Sequence, residues 1–457
     1  STPLYSSAAS DVYKRQIKYM IERRKELGGF LPARRNIQHE IELPSEKAYK
    51  GSKKGSGKQM AATTMAFVRL LKDLMREKDF GKRVVPIVPD EARTFGMDSL
   101  FPTSKIYNTL GQNYLAVDRE LMLAYKESPQ GQIQHVGINE AGGVAALTAA
   151  GTSYETHGVP MLPVYIYYSM FGFQRTGDAF WAAADQLARG FIVGGTAGRT
   201  TLTGEGFQHM DGASPILAAQ NPAVLQYDPA YGYEIAHLVE RGIEQMYGQK
   251  DEEHNVMYYF TVYNEPIVQP AEPENVDVDG IIGGIHRVHE AEVDGPRTQL
   301  LASGVGVPLA MKASEILAEE YGVSADVWSV TSWTNLRRDG IAAEREAFLS
   351  GGEKKRTPFI TQQLEGATGP VVAVSDYDSA LMDGVRQYVP NEFATLGTDG
   401  FGFSDTRPAA RRFFNIDSES IVVRALQMLA ERGEVDADVA AKALKKYNLD
   451  EYKPAED

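Results

Sequence analysis

The chain has 457 residues and carries 47 Lys and Arg against 61 Asp and Glu, a formal net charge of −14. This acidic balance argues against general binding to nucleic acid or to an anionic membrane surface. No apolar run approaches the roughly 20 residues that a membrane span needs. The length exceeds what one hydrophobic core usually holds, so two or three domains are expected. With no cysteine at all, disulfides and thiolate chemistry are excluded, and a reducing, cytoplasmic location fits.

The beginning of the chain does not look like a domain. Residues 1–16, STPLYSSAASDVYKRQ, form neither an apolar secretory signal nor an Arg-rich transit peptide. We expect residues 1–16 to be a foreign or artefactual segment. The polar and basic residues that follow end in KGSKKGSGKQ at residues 50–59, which predicts a flexible loop or linker.

From residue 60 onward, strand-like and helix-like patterns alternate. Helical spacing of apolar residues predicts helices in 60–78, 178–190 and 233–248, and short apolar runs predict strands in 83–97, 161–169, 191–200 and 256–266. The stretch NEPIVQPAEPENVDVDG predicts a domain boundary near residue 270. Beyond it, strands are predicted in 298–307, 325–333, 358–364 and 371–377, with helices in 308–322 and 421–433 and a helical, charged tail from Asp436. The pattern predicts two consecutive three-layer α/β domains with mostly parallel sheets, at residues 60–270 and 271–457.

The most glycine-rich stretch is GGTAGRTTLTGEGFQHMDGAS, residues 194–214. It contains no Lys and no G-x-G-x-x-G, so a phosphate-binding loop is not expected. Two interpretations stay open, a mobile connection and a loop that folds over a ligand. Within it, His209 and Asp211 are either two members of a metal site, which would need at least a third ligand, or ordinary loop residues.

Two other histidines are candidate zinc ligands. His286 and His289, beside Glu290, have helical i, i+3 spacing, but the H-E-x-x-H pattern of a zinc site is absent and we do not expect one. A serine nucleophile elbow, G-x-S-x-G, is absent as well.

Two strand ends carry residues that suit a ligand site. The stretch VYIYYSMFGF clusters five aromatic side chains, which are either core packing or a platform for a planar heterocycle. Core packing is the default interpretation, and the platform gains support because ligands of open α/β sheets bind outside the carboxyl ends of the strands. In PDEARTFGM, Asp90 and Glu91 with Arg93 form either a structural ion pair or acid and base groups of a site.

Glu140 is the single acid in HVGINEAGGVAALTAAG, ahead of a run of Ala, Gly and Thr. The small residues allow another chain or a flat ligand to approach closely. A glutamate favoured by the dipole at a helix N-terminus is the structural alternative. In the ligand interpretation, a low-polarity, Ala- and Gly-lined pocket would favour the protonated carboxyl by desolvation.

Several long strings together resemble one enzyme family. They are IERRKELGGFLPARR, VVPIVPDEARTFGMDSLF, GINEAGGVAALTAAGTSY, PMLPVYIYYSMFGFQRTGDAFWAAADQLARGFIVGGTAGRTTLTGEG, QYDPAYGYEIA and LGTDGFGFSDTR. The chain from about Ile17 to its end is similar to the homodimeric type of the thiamine diphosphate-dependent decarboxylating component of pyruvate dehydrogenase, which has a transketolase-like fold. The resemblance implies a pyrimidine-binding domain at 60–270, a transketolase C-terminal-like domain at 271–457, and in 17–59 a remnant of a missing N-terminal domain with its linker.

The resemblance also implies roles for individual residues. Glu140 would contact the aminopyrimidine ring of the cofactor and promote its reactive tautomer, and Phe171 would stack on that ring. Tyr168 would line the pocket near the reacting centre, and Asp90 would lie near bound pyruvate. Glu265 is a further candidate pocket acid, although Val268 stands nearby where some relatives carry a His.

The implied reaction is oxidative decarboxylation of pyruvate with transfer of the acetyl group to a lipoyl group of the dihydrolipoyl acetyltransferase component. The family's G-D-G motif for magnesium and diphosphate does not occur here. The Mg²⁺ and diphosphate ligands are therefore expected in the missing N-terminal domain, and the chain alone is expected to be inactive and to bind cofactor poorly. Family sites form at a homodimer interface. The alternatives are a transketolase, another 2-oxo acid decarboxylating component, or a non-catalytic module that docks the complex.

Overall fold

A computed structural model describes residues 10–29, 40–89, 92–117, 119–120, 125–202, 205–248, 253–292, 294–402 and 404–450. The helices and strands below are those of the described residues. None of these helices is long and apolar enough to cross a membrane.

The part of the chain before residue 270 contains ten strands and nine helices within the described ranges. The strands are β1 Met60–Ala61, β2 Val84–Val88, β3 Ile106–Tyr107, β4 Glu127–Ser128, β5 Gln134–His135, β6 Leu162–Tyr168, β7 Gly190–Gly195, β8 Val224–Tyr227, β9 Met257–Thr261 and β10 Ile267–Val268. The helices are α1 Ser10–Glu26, α2 Lys47–Lys53, α3 Thr63–Leu74, α4 Phe101–Ser104, α5 Glu140–Gly151, α6 Ser153–Thr156, α7 Phe173–Asp185, α8 Ser214–Ala219 and α9 Gly232–Tyr247.

The part after residue 270 contains five strands and eight helices within the described ranges. The strands are β11 His286–His289, β12 Arg297–Ala302, β13 Ser324–Ser329, β14 Val371–Val374 and β15 Phe393–Leu396. The helices are α10 Val278–Gly283, α11 Gly306–Tyr321, α12 Trp333–Leu349, α13 Phe359–Gln363, α14 Ser379–Asp383, α15 Arg407–Phe413, α16 Ser418–Glu431 and α17 Val439–Lys446.

The first sheet has six strands in the order β5-β2-β6-β7-β9-β8, and every pair in it is parallel. Side chains of a strand alternate between the two faces of the sheet. On β6, Val164 and Ile166 join a core with α3 and α9, whereas Tyr165 and Tyr167 join a second core with α5 and α7. Helices therefore cover both faces, as the predicted three-layer arrangement requires.

The second sheet has the order β11-β13-β12-β14-β15, with β11 antiparallel and the other pairs parallel. Leu300 and Ala302 of β12 pack with α11 and α16, and Leu301 packs on the opposite face with residues of α12, α13 and α14. The predicted fold class, two consecutive α/β domains with mostly parallel sheets, is confirmed.

One predicted strand is wrong. Residues 358–364 contain a helix, α13, in place of a strand. A short apolar run such as PFITQQL does not by itself distinguish the two states. Here the Asp339 carboxylate, from α12, accepts a hydrogen bond from the backbone N–H of Phe359 at 2.6 Å. This bond satisfies a donor at the first turn, which stabilises the helix.

The predicted flexible linker at residues 50–59 is also wrong. Its first residues belong to α2, in which Ala48 and Tyr49 are buried. Further on, the backbone N–H of Ser56 donates to the carbonyl oxygen of Gln269 at 2.9 Å, and the Gln269 N–H donates to the Ser56 hydroxyl at 2.9 Å. The segment is therefore held on the first domain by these hydrogen bonds and by the burial of Ala48 and Tyr49 just before it.

Two more elements differ from the sequence-based expectations. His286 and His289 lie on the strand β11, so their spacing is not helical, and His286 Nε2 forms a buried hydrogen bond with Glu234 Oε1 at 2.8 Å. The helix α12 is not predicted from the sequence. It begins at a Ser332 cap whose hydroxyl accepts the N–H of Asn335, and Gly340 weakens its local helical signal.

Candidate active site

The predicted site residues that the structure describes follow the carboxyl edge of the first sheet; they are Glu140, Tyr168, Phe171 and Glu265. Because all six strands are parallel, their carboxyl ends meet at one edge, where ligands of α/β proteins bind. The strand β6 ends at Tyr168 and leads into a 3₁₀ turn, Ser169–Phe171. After β5 the chain reaches Glu140, and after β9 it reaches Glu265. The topology thus collects residues that are far apart in sequence.

Glu140 is the first residue of α5. The helix is capped by the Asn139 side chain, which accepts a hydrogen bond from the N–H of Gly142 at 3.0 Å. A Cβ on Gly143 would clash with the Tyr165 ring, so a glycine is needed for α5 to lie this close to β6. The small residues after Glu140 therefore serve in part to seat the helix on its own sheet.

The surroundings of the Glu140 carboxylate differ from the low-polarity pocket that the sequence predicts. Its side chain is only 12% exposed, and the Arg175 guanidinium lies 3.1 Å from its Oε1. Arg175 itself is 52% exposed. The carboxylate therefore has a charged partner in place of the apolar surroundings that the sequence predicts.

Phe171, Tyr168 and His209 form one aromatic cluster. The ring centroids of Phe171 and His209 are 5.0 Å apart, those of Tyr168 and His209 5.3 Å, and those of Tyr168 and Phe171 6.1 Å. The Arg175 guanidinium lies 4.0 Å from the centre of the Phe171 ring. Arg175 therefore links Glu140 to the aromatic cluster, and the three predicted residues Glu140, Tyr168 and Phe171 belong to one site.

Two other members of this site are missed by sequence reasoning. The sequence suggests His209 only as a metal ligand or a loop residue, and it does not single out Arg175. Arg175 stands only four residues after Phe171, but its contact with Glu140 joins residues 35 positions apart, which no local pattern indicates. For His209 the contact joins loops 38 positions apart, and no local pattern indicates it.

The carboxylate of Asp211, a candidate metal ligand together with His209, is engaged by protein donors. Asp211 is fully buried, and both of its carboxylate oxygens accept hydrogen bonds from protein donors. Among the residues that the structure describes, no group of three or more His, Asp or Glu side chains is placed to hold a metal ion.

The hydroxyl of Tyr168 faces the stretch in which Asp90 is predicted to act. Thr94 Oγ1 lies 3.4 Å from the Tyr168 hydroxyl, and the Thr94 carbonyl accepts a hydrogen bond from Asn264 Nδ2 at 3.2 Å. Asp90 and Glu91 themselves lie outside the described residues, so the prediction for Asp90 stays a prediction.

Glu265 is paired with arginines of the second domain and, among the described residues, not with the aromatic cluster. Its carboxylate forms a two-point ion pair with Arg411 of α15, in which Arg411 Nη1 lies 3.0 Å from Oε1, and Arg407 Nε lies 3.9 Å away. The side chains of Glu265 and Arg411 are 18% and 10% exposed. The pair joins the first domain to the second, and the role of Glu265 as a pocket acid stays a prediction.

Two further carboxyls are buried between the domains. Asp228 accepts hydrogen bonds from the hydroxyls of Tyr263 at 2.6 Å and Thr261 at 2.8 Å. Asp376 accepts the backbone N–H of Thr200 at 3.1 Å. Burial raises the pKa of Asp228 to about 6 and the pKa of Asp376 to about 7. The described residues 194–202 of the glycine-rich loop are thereby held against the second domain, which argues against a mobile connection there.

The raised pKa of Asp376 predicts a pH-dependent stability. Its contribution is fully present below the unfolded-state pKa of 3.8 and is lost as the pH rises through about 7. At about 1.36 kcal/mol per pKa unit, the loss reaches up to about 4 kcal/mol. In Asp376→Asn, the free energy of unfolding should fall less between pH 4 and pH 8 than in the unmodified chain, as measured by urea denaturation across that range. Parallel pH profiles for the two proteins would contradict this prediction.

Comparison with known proteins shows the family to which the chain belongs. Residues 40–270, just over half of the chain, match the model of the pyruvate dehydrogenase E1 component middle domain. The chain belongs to the pyruvate dehydrogenase E1 component family. Residues 284–417 of this E1-family chain match the transketolase-like TK C-terminal domain. The resemblance that the sequence motifs carry is confirmed.

Curated relatives with the same family name come from several bacteria. This E1-family chain is 57% identical over 441 residues to the pyruvate dehydrogenase E1 component of Mycolicibacterium smegmatis, covering 96% of the chain and 47% of that protein. It is 58% identical over 441 residues to that of Mycobacterium tuberculosis, with the same two coverages, and 48% identical over 434 residues to that of Escherichia coli K12, covering 94% and 48%. The chain spans about half the length of the curated relatives it matches.

Solved transketolases share the fold of this E1-family chain. The transketolase from Leishmania mexicana superimposes with a TM-score of 0.62 at 16% identity, covering 85% of this chain and 48% of that one. The transketolase from Campylobacter jejuni superimposes with a TM-score of 0.59 at 16% identity, covering 91% and 53%. At this identity the likeness shows the fold alone.

Proposed function

We propose that this chain is part of a thiamine diphosphate-dependent enzyme that oxidatively decarboxylates pyruvate and transfers the acetyl group to a lipoyl group of the dihydrolipoyl acetyltransferase component. The observation that carries the proposal is the juxtaposition of Glu140 with the aromatic cluster at the carboxyl edge of a parallel sheet. Family membership supports it, since the named relatives are pyruvate dehydrogenase E1 components.

The residues present fit the aminopyrimidine part of the cofactor. A flat heterocycle needs an aromatic face and one acid at its edge, and Phe171 and Glu140 supply these, joined through Arg175. When bound, thiamine diphosphate supplies the nucleophilic carbon for the keto group of pyruvate and the electron sink after decarboxylation. In this proposal Glu140 holds a proton at the ring nitrogen, Phe171 orients the ring, and Tyr168 lines the pocket beside it.

Arg175 occupies the place that a cofactor ring would take. Its guanidinium lies 3.1 Å from the Glu140 carboxylate and 4.0 Å from the centre of the Phe171 ring. Because the Arg175 side chain is half exposed, it can turn away when a ring takes its place on Phe171.

The remaining parts of the enzyme are proposed from the family. We propose that Mg²⁺ and the diphosphate group are held by residues of the full-length enzyme outside this chain, which covers only 47% of the Mycolicibacterium smegmatis relative. We propose a homodimer, since Ala141, Ala145 and Ala149 leave an exposed face of small side chains on α5. The absence of cysteine and the acidic charge favour a cytoplasmic enzyme without nucleic-acid partners.

The proposed substrates can be tested with the full-length enzyme from the same source. We expect pyruvate to support dye-linked decarboxylation and acetylation of a lipoyl domain, both dependent on thiamine diphosphate and Mg²⁺. Ketol transfer between sugar phosphates, assayed as the matched control, should stay at background. Ketol transfer without pyruvate turnover would assign the chain to a transketolase activity, and turnover of a different 2-oxo acid alone would replace the substrate.

A further inference from the structure

Asp211 is a fully buried carboxylate in the first domain. Its Oδ2 accepts a hydrogen bond from the Ser169 hydroxyl. Its Oδ1 accepts three hydrogen bonds, from Gln174 Nε2 at 2.8 Å and from the backbone N–H groups of Ser214 at 2.9 Å and Ala213 at 3.1 Å. Both oxygens of Asp211 are therefore engaged by the protein, and Oδ1 receives three of the four bonds.

The four donors belong to two separate segments of the chain. Ser169 and Gln174 flank the turn that carries Phe171, whereas the backbone donors follow the turn that ends at His209. The Ser214 hydroxyl adds a further link, since it donates to the carbonyl oxygen of Ser169 at 3.1 Å. One buried network of hydrogen bonds therefore connects the two turns.

The rings of Phe171 and His209 lie close, along the chain, to the hydrogen bonds of Asp211. Phe171 and His209 are each only partly buried, so core packing does not fix them. Phe171 lies two residues after Ser169, and His209 lies two residues before Asp211. Their ring centroids are 5.0 Å apart in an edge-to-face arrangement. Because each ring lies two residues from a residue of the network, a change in these hydrogen bonds is expected to change the angle between the two rings.

We propose that Asp211 is a positioning residue, which sets the relative orientation of Phe171 and His209 so that a flat cofactor ring can be received on Phe171. This inference rests on the proposed function, because the ring in question is that of thiamine diphosphate. Asp211 itself touches neither cofactor nor substrate. It acts through the Ser169–Phe171 turn, so its loss should matter only while Phe171 is present.

A double-mutant cycle tests this dependence in the full-length enzyme. The variants are Asp211→Asn, Phe171→Ala and the double variant, with the dissociation constant of thiamine diphosphate measured by calorimetry in the presence of Mg²⁺. Asparagine keeps one acceptor oxygen but presents an NH₂ donor to Ser169. We expect Asp211→Asn and Phe171→Ala each to weaken cofactor binding by about tenfold. The double variant should bind within about twofold of Phe171→Ala alone.

Two further variants separate positioning from general stability. Ser169→Ala removes one bond of the network and should weaken binding by about threefold, which keeps the test available if Asp211→Asn does not fold. Asp326→Asn is the matched control, since Asp326 is a buried carboxylate that accepts from Arg297, Gln299 and Ala291 in the second domain. It should lower the melting temperature and leave the cofactor dissociation constant unchanged.

The outcomes distinguish the two proposals. If Phe171→Ala leaves cofactor binding unchanged, the proposed cofactor site fails, and the positioning role fails with it. If Phe171→Ala weakens binding while Asp211→Asn and Ser169→Ala do not, or if the effects of Asp211 and Phe171 simply multiply, the site stands and the positioning role is overturned. If Asp211→Asn weakens binding by itself, and the double variant is only as weak as Phe171→Ala alone, both proposals are supported.

Discussion

Replacing Glu140 by Gln in the full-length enzyme is expected to lower pyruvate turnover by roughly 10²- to 10⁴-fold, the usual contribution of a positioned acid–base group. The introduced amide would retain the size of the side chain and a hydrogen-bonding edge, but it has no acid proton to exchange. The Arg175 guanidinium would lose its charged partner at 3.1 Å and stay free over Phe171. The decisive measurement is dye-linked pyruvate decarboxylation with and without thiamine diphosphate and Mg²⁺.

A matched control for this substitution exists in the second domain. Glu419 also lies in the first turn of a helix and near an arginine, with Arg412 Nη2 at 3.5 Å from its carboxylate. Glu419→Gln should leave turnover unchanged. If turnover in Glu140→Gln equals that of Glu419→Gln, the proton chemistry belongs to another residue, although the family membership would stand.

Replacing Glu265 by Ala is expected to destabilise the chain by about 3 kcal/mol, because it leaves the largely buried Arg411 guanidinium without its counter-charge. The pair also connects the loop after β9 to α15, so the loss should loosen the contact between the two domains. Chemical denaturation followed by circular dichroism measures the change as a lower midpoint. Arg407 lies 3.9 Å from the carboxylate and, as another cation, offers Arg411 no compensation.

Substitutions of Glu265 also test whether this residue acts as a pocket acid or as a structural link between the domains. Glu320→Ala, which removes an exposed pair with Lys446, is the control and should leave the midpoint unchanged. An unchanged midpoint in Glu265→Ala would contradict the expected loss of stability. A large loss of turnover in Glu265→Gln at an unchanged midpoint would favour the pocket acid over the domain anchor.

Most helices and strands of the fold are predictable because their signal is local. The strands β6, β7 and β9 are apolar runs between turn residues, and α9 and α11 repeat their apolar residues at helical spacing. These patterns are properties of neighbouring residues, so no knowledge of the rest of the chain is needed. The errors occur where a distant residue decides, as at α13, whose first N–H is held by Asp339.

The residues of the candidate site also fall into two groups, those predicted from the sequence and those found only in the structure. Glu140, Tyr168 and Phe171 are identifiable from the sequence because they stand in long, distinctive strings whose family roles can be transferred residue by residue. Arg175 and His209 become part of the site only when the parallel sheet brings separate segments to one edge. The order of strands in the sheet determines which residues meet at that edge, and this order cannot be read from local sequence patterns.

The sequence by itself determined the alternation of strands and helices, the class of fold and the identity of the acid at the head of α5, since each depends on residues close together in the chain. Only the tertiary structure decided that Glu140 is paired with Arg175, that Glu265 is paired with Arg411 of the second domain, and that Asp211 accepts a hydrogen bond from Ser169. Those relations are hydrogen bonds and ion pairs between residues up to 146 positions apart. Three-dimensional packing determines which residues form these pairs, because charge and donor type alone would allow many other pairings.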